Sequence, residues 1–208
     1  PKRVQIATAE NLDEKGETTS SIAKRNGAVA AINAGGFYDA NGTGTGRSPY
    51  GFIIHDGKFI LGQNVADSEV NEFVGLTDDG NLIAGNYSKG ELISMDVKEG
   101  ISFGPALIVN GERMITSGDG GWGVGPRTAI GQKKDGTVLF LVIDGRQPSY
   151  SIGATLRDVQ NILYEEGAYI AANLDGGSSS TLYMNGNVVN KPADLLGERM
   201  IPTAFIVK

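Results

Sequence analysis

A chain of 208 residues with 40% hydrophobic content is long enough to bury a sizeable core without covalent staples. Its formal charge of -6, with only 18 Lys and Arg, gives no basic field for nucleic acid, and no window carries the apolar run of a membrane span. Cysteine is absent and His55 is the single histidine, which excludes disulfides, thiolate metal sites and sites built from several histidines, so any metal would need oxygen ligands.

Residues 3–8 alternate as a strand, and Thr18, Thr19 and Ser20 offer caps for a short helix that stops near Gly27. Residues 28–33 then run apolar into the glycine pair Gly35-Gly36. Hairpin signals follow at Asp56-Gly57, Asp79-Gly80 and Asn110-Gly111, which predicts a middle third of antiparallel β with one or two helical turns over 88–95. The last third changes character. Residues 137–143 are almost continuously apolar, 155–166 have helical spacing, and 168–174 are apolar again, a β-α-β pattern. Thr155 and Asp158 form a capping box, Leu156, Val159, Ile162 and Leu163 make the buried stripe, and Gly167 supplies the stop. A hairpin at Asn185-Gly186 and a strand over 202–207 close the chain. With no linker and no repeat, residues 1–208 read as one α+β domain, mostly antiparallel or mixed sheet with one C-terminal β-α-β unit.

That unit has a consequence for chemistry. Its strands run parallel, so Asp144 and Asp175, each just past a strand, fall on one edge of the sheet. On adjacent strands their carboxylates would lie within about 5–10 Å, the range of paired acids in glycoside cleavage. Each also fits a plain Asp-Gly turn. The segment 173–183, NLDGGSSSTLY, is richer than a turn requires. Gly176 and Gly177 let amides approach an anion, and Ser178, Ser179 and Ser180 offer hydroxyls, although a glycine bulge with solvated serines fits the same letters.

In 32–39, INAGGFYD, Asn33 ends a strand and Tyr38 or Phe37 offers a ring to a sugar face, Phe37 being the better candidate for core. Arg127 in GVGPRTAIG and Arg146 in DGRQPS are natural phosphate clamps or, equally, structural ion-pair partners. His55 precedes a hairpin turn and reads as a surface residue. Trp122, in a glycine-rich loop, reads as a sugar-contacting lid or as an aromatic anchor.

Taken in order, INAGGFYD, GPALIVNG (104–111), GPRTAIG, VIDGRQPSYSIGATLRDV (142–159), NLDGGSSSTL and GERMIPTAFIV (197–207) resemble the phosphodiester glycosidase family, which includes the lysosomal uncovering enzyme. The resemblance covers essentially the whole chain. It implies a hydrolase that cleaves the glycosidic bond of a sugar linked through a phosphodiester, in a glycan or cell-envelope polymer outside the cytoplasm. Asp175 and Asp144 are the implied catalytic pair, and Asn33, Arg127, Arg146, Asn173, Gly176, Gly177, Ser178, Ser179 and Tyr38 are the implied substrate-binding residues. No cofactor is expected, although a divalent metal on Asp144, Asp175 and Asn173 would turn the same site into a phosphodiesterase, and a non-catalytic sugar-binding module is the other alternative. The loop of this family commonly reads Asp-Gly-Gly-Gly-Ser-Ser, and Ser178 stands here at the third glycine, where a positive φ would strain it.

Overall fold

The computed structural model describes residues 3–12, 14–39 and 44–208. Among these residues three five-stranded sheets carry the fold, and every strand pair in them is antiparallel. The first joins the two ends of the chain: Val4–Thr8 pairs with Thr203–Val207, which pairs in turn with Ala30–Asn33, then Leu182–Met184 and Asn187–Val188. The second is local to the middle third, in the order Lys58–Leu61, Ile53–His55, Val97–Ile101, Val70–Thr77, Leu82–Ser88. The third runs Glu112–Arg113, Ala106–Val109, Ala168–Asn173, Arg127–Lys133, Val138–Ile143.

The hairpin signals act where the sequence puts them. Asp56, Asn110 and Asn185 each take positive φ before a positive-φ glycine, the backbone of a tight turn that matches strand twist. Burial then joins the sheets. Ile6, Ile32 and Phe205 of the first, Val74 and Ile101 of the second, and Ile130 and Ala172 of the third belong to one buried apolar cluster.

The strand-helix-strand order near the C-terminus is present as Val138–Ile143, Leu156–Glu165 and Ala168–Asn173, but its two strands are not neighbours. Arg127–Lys133 lies between them, antiparallel to both, so they point the same way one strand apart. The edge position also explains why the apolar Val138–Ile143 strand is only half buried along its whole length. In the helix, the Thr155–Asp158 capping box forms, and Leu156, Val159 and Leu163 are buried. Ile162 is instead exposed, and Gln160 is buried in the stripe because its amide bonds both the N–H and the C=O of Ile115.

Candidate active site

The ends of the Ala30–Asn33 and Ala168–Asn173 strands and the start of Arg127–Lys133 are stitched together by backbone bonds. The amide of Asp175 donates to Ala34 O at 2.9 Å, that of Leu174 to Thr128 O at 2.9 Å, and that of Gly177 to Pro126 O at 2.9 Å. Asn33 is fully buried at this junction. Its Nδ2 donates to the Asp175 carbonyl, while its Oδ1 accepts from Thr128 Oγ1 at 2.8 Å and from the Thr181 amide at 3.1 Å. Asn173, also buried, donates Nδ2 to Gly104 O at 2.8 Å. Both asparagines therefore hold the frame of the pocket from behind and do not line it.

A pocket of about 360 Å³ opens on this junction. Asp175, Arg127, Arg146 and the Gly176–Ser179 turn all line it, so the structure gathers seven of the sequence candidates in one place. Asp175 is the most perturbed of them. Burial pushes its pKa up to about 6 against the pull of a Ser179 side-chain hydrogen bond, the nearby Arg199 charge and the Gly176 amide. Arg127 is buried, and its planar fork is largely committed. Nε donates to Ala154 O at 2.9 Å, and one Nη donates to the carbonyls of Trp122 and Gly123. Burial and the neighbouring Arg146 charge lower its pKa from the usual guanidinium value. Arg146 is exposed, takes φ +58, and reaches Ser178 Oγ at 3.4 Å. Among the described residues neither arginine lies within ion-pair distance of a carboxylate.

The turn itself is a short 3₁₀ segment, Gly177–Ser179, and the positive φ falls on Gly177 at +61, so Ser178 is not strained. A Cβ on Gly177 would stand 3.2 Å from the Arg146 guanidinium. Gly177→Ala is therefore expected to cost about 1 kcal/mol in backbone strain and to shift Arg146, seen as a lower melting temperature together with weaker anion binding.

Asp144 follows another pattern. Its Oδ1 accepts from Asn190 Nδ2 at 2.8 Å and its Oδ2 from the Lys191 amide at 3.0 Å, and the same Asn190 amide group donates to Ser180 O at 3.1 Å. It supports the serine turn at one remove and is not among the groups facing the pocket. Tyr38 is exposed at the rim, its ring edge-on to Tyr50 at 5.6 Å.

Four residues that sequence reasoning passed over line the pocket. Tyr50 and Phe103 continue an aromatic wall from Tyr38 to Trp122, with centroids 6.4 Å apart and Trp122 6.1 Å beyond, so Trp122 packs on the wall while its carbonyl anchors Arg127. Burial and Asp175 push the Tyr50 hydroxyl up to about 12. Gly36 makes room for this wall, since a Cβ there would collide with Tyr50 and Phe103. The other two are Asp39 and Arg199, which form an ion pair across 160 positions of sequence. Both sit in segments that carry the family resemblance, yet an acid after an aromatic pair and a base before a strand look like ordinary surface charges until the fold joins them.

Among the described residues there is no cluster of three or more His, Cys, Asp or Glu arranged to hold a metal. Nor is any helix long and apolar enough to cross a membrane.

One pocket thus brings together a carboxylate of raised pKa, two arginines with no acidic partner among the described residues, an Asp–Arg ion pair and a wall of rings. The chain belongs to the phosphodiester glycosidase family, whose model matches residues 26–208. It is 32% identical over 197 residues to a prophage-derived uncharacterized protein of Bacillus subtilis, covering 91% of this chain and 29% of that one. It is 25% identical over 203 residues to the bovine N-acetylglucosamine-1-phosphodiester alpha-N-acetylglucosaminidase, covering 88% and 36%. The zebrafish enzyme of that name, solved as a catalytic domain auto-inhibited by its pro-peptide, superposes with a TM-score of 0.79 at 24% identity over 99% of this chain and 73% of the other. The chain thus spans about a third of the length of the curated relatives it matches.

Proposed function

We propose that this domain hydrolyses the glycosidic bond of a sugar joined through a phosphodiester, with Asp175 as the acting carboxylate. The observation that carries this reading is the placement of Asp175, with its raised pKa, in one pocket with Arg127 and Arg146. As the bond to the anomeric carbon breaks, charge moves onto the phosphate oxygens, and the phosphomonoester so formed leaves without needing a proton. A general acid is therefore dispensable, and one carboxylate that activates water or attacks the anomeric carbon suffices. The ionised form does this work, so kcat/KM is expected to rise with pH through about 6 and level off above it.

Asp144 serves the same reaction by holding Asn190, and through it the Ser180 carbonyl, behind the turn. Asp144→Asn keeps an acceptor for these donors and is expected to lower kcat by no more than about tenfold, well below the loss of a group acting on the reacting atoms. Arg146 acts on the leaving phosphate. Arg146→Gln is expected to reduce turnover of a sugar phosphodiester at least about tenfold more than turnover of a neutral aryl glycoside, since a charge-assisted bond strengthens only where negative charge develops. Equal losses on the two substrates would remove the phosphate role.

The polymer acted on is proposed to be a glycan or cell-envelope polymer met outside the cytoplasm. Hydrolysis assays on aryl glycosides and on sugar phosphodiesters test the reaction, and release of product from neither would refute it.

A further inference from the structure

The pocket holds three guanidinium groups, and they are not equivalent. Arg127 and Arg146 stand close enough to act on each other's charge, and neither has a carboxylate within ion-pair distance among the described residues. Arg199 is neutralised. It donates to the Asp39 carboxylate, which also accepts from the Gly44 amide at 3.0 Å, and its guanidinium lies 5.5 Å from the Phe37 ring centre. Its Nε is buried and has no hydrogen-bond partner among the described residues. The Asp175–Gly177 strap links the two ends: Asp175 feels the charge of Arg199, and Gly177 abuts the Arg146 guanidinium.

These two ends suit different chemistry. Two arginines in one pocket, with no carboxylate within ion-pair distance among the described residues, leave positive charge there, and an anion relieves their repulsion and takes up the open donors, most of them on Arg146. A closed Asp–Arg pair has no net charge to offer. It presents carboxylate acceptors beside guanidinium donors, the complement of neighbouring hydroxyls, each of which donates one hydrogen bond and accepts others.

We propose that the pocket is directional: the Asp39–Arg199 pair reads the hydroxyls of the sugar, Arg127 and Arg146 hold the phosphate, and Asp175 lies at the bond between them. This rests on the glycosyl-phosphodiester reading above and assigns it an orientation. It makes Asp39 and Arg199 the residues that set which sugar is accepted.

Calorimetry with inorganic phosphate and with N-acetylglucosamine 1-phosphate separates the two ends. In Arg146→Gln the affinity for both ligands is expected to fall about tenfold or more, the scale of one charge-assisted bond. In Asp39→Asn the phosphate affinity should stay within about twofold, while the sugar phosphate loses about tenfold and binds no better than phosphate alone. Equal losses of both ligands in Asp39→Asn, or undiminished sugar-phosphate binding, would overturn the proposal. Should removal of the Arg199 partner unfold the protein, the unaltered chain still decides. Cyclohexyl phosphate, with a ring of similar size and no hydroxyls, is expected to bind about tenfold more weakly than the sugar phosphate, and equal binding would overturn the proposal. The outcome is distinguishable from that of the reaction itself. Binding in this pattern without hydrolysis would uphold the orientation and defeat the catalytic reading, whereas hydrolysis with binding blind to hydroxyls would do the reverse.

Discussion

Replacing Asp175 with asparagine is expected to lower hydrolysis of a sugar phosphodiester at least about a hundredfold while leaving the protein folded, because the amide keeps the side-chain shape but can neither attack nor take a proton. The same substitution carries a stability signature that a simple turn residue would not show. Burial raises the Asp175 pKa from 3.8 to about 6, so the ionised carboxylate weighs against the folded state. Below about pH 4 the group is protonated in both folded and unfolded chains and exacts no penalty. The penalty grows between about pH 4 and 6 and is complete above that. Asparagine removes it, so Asp175→Asn is expected to melt higher than the parent at pH 8, by up to about 2–3 kcal/mol of stability, with the gap closing near pH 4. Thermal melts across that range check the sign. A variant that melts lower than its parent at pH 8, or retains most of its activity, would refute the role given to Asp175.

Arg127 is expected to behave in the opposite way, as a residue whose loss is felt first in folding. Its guanidinium donates to the backbone carbonyls of Ala154, Trp122 and Gly123, and among the described residues the last two accept from no other group. Arg127→Met preserves bulk but breaks three bonds, leaving the carbonyls of Trp122 and Gly123 without a donor and that of Ala154 with the Gly125 amide alone. At about 1 kcal/mol for each lost bond, the cost is about 3 kcal/mol, or a fall in melting temperature of about 6–12 °C for a chain of this size. Arg127→Lys is expected to recover little, since a single ammonium cannot span the fork. Denaturant titration reads this directly. A fully stable Arg127→Met protein would mean that the carbonyls are solvated and that Arg127 is free to serve the ligand alone.

Much of the architecture could be read from local chemistry. The turns at Asp56-Gly57, Asn110-Gly111 and Asn185-Gly186 and the helix cap at Thr155 depend on a few adjacent residues, and the sequence displays them. What could not be read was strand order. Local pattern shows that Val138–Ile143 and Ala168–Asn173 run the same way, but the insertion of Arg127–Lys133 between them is decided by packing between distant segments. The site divides along the same line. Asp175 and the glycine-serine turn announce themselves because polar residues crowd the end of a buried strand, and Arg146 because it follows one. The chemistry of Asn33 and Asn173 was legible but their direction was not: a buried amide at a strand end serves a ligand or the backbone equally well, and here both serve the backbone. Asp39 and Arg199 were invisible as a pair, since their meaning lies wholly in the contact between them.

The most direct test of the central claim is to run the reaction in ¹⁸O-labelled water on a sugar 1-phosphodiester and weigh the phosphate product by mass spectrometry. Attack at the anomeric carbon, supported by Asp175, breaks the carbon–oxygen bond, so the phosphomonoester should carry no label. Label in the phosphate would mean that the phosphorus–oxygen bond breaks, and the domain would be a phosphodiesterase, not a glycosidase.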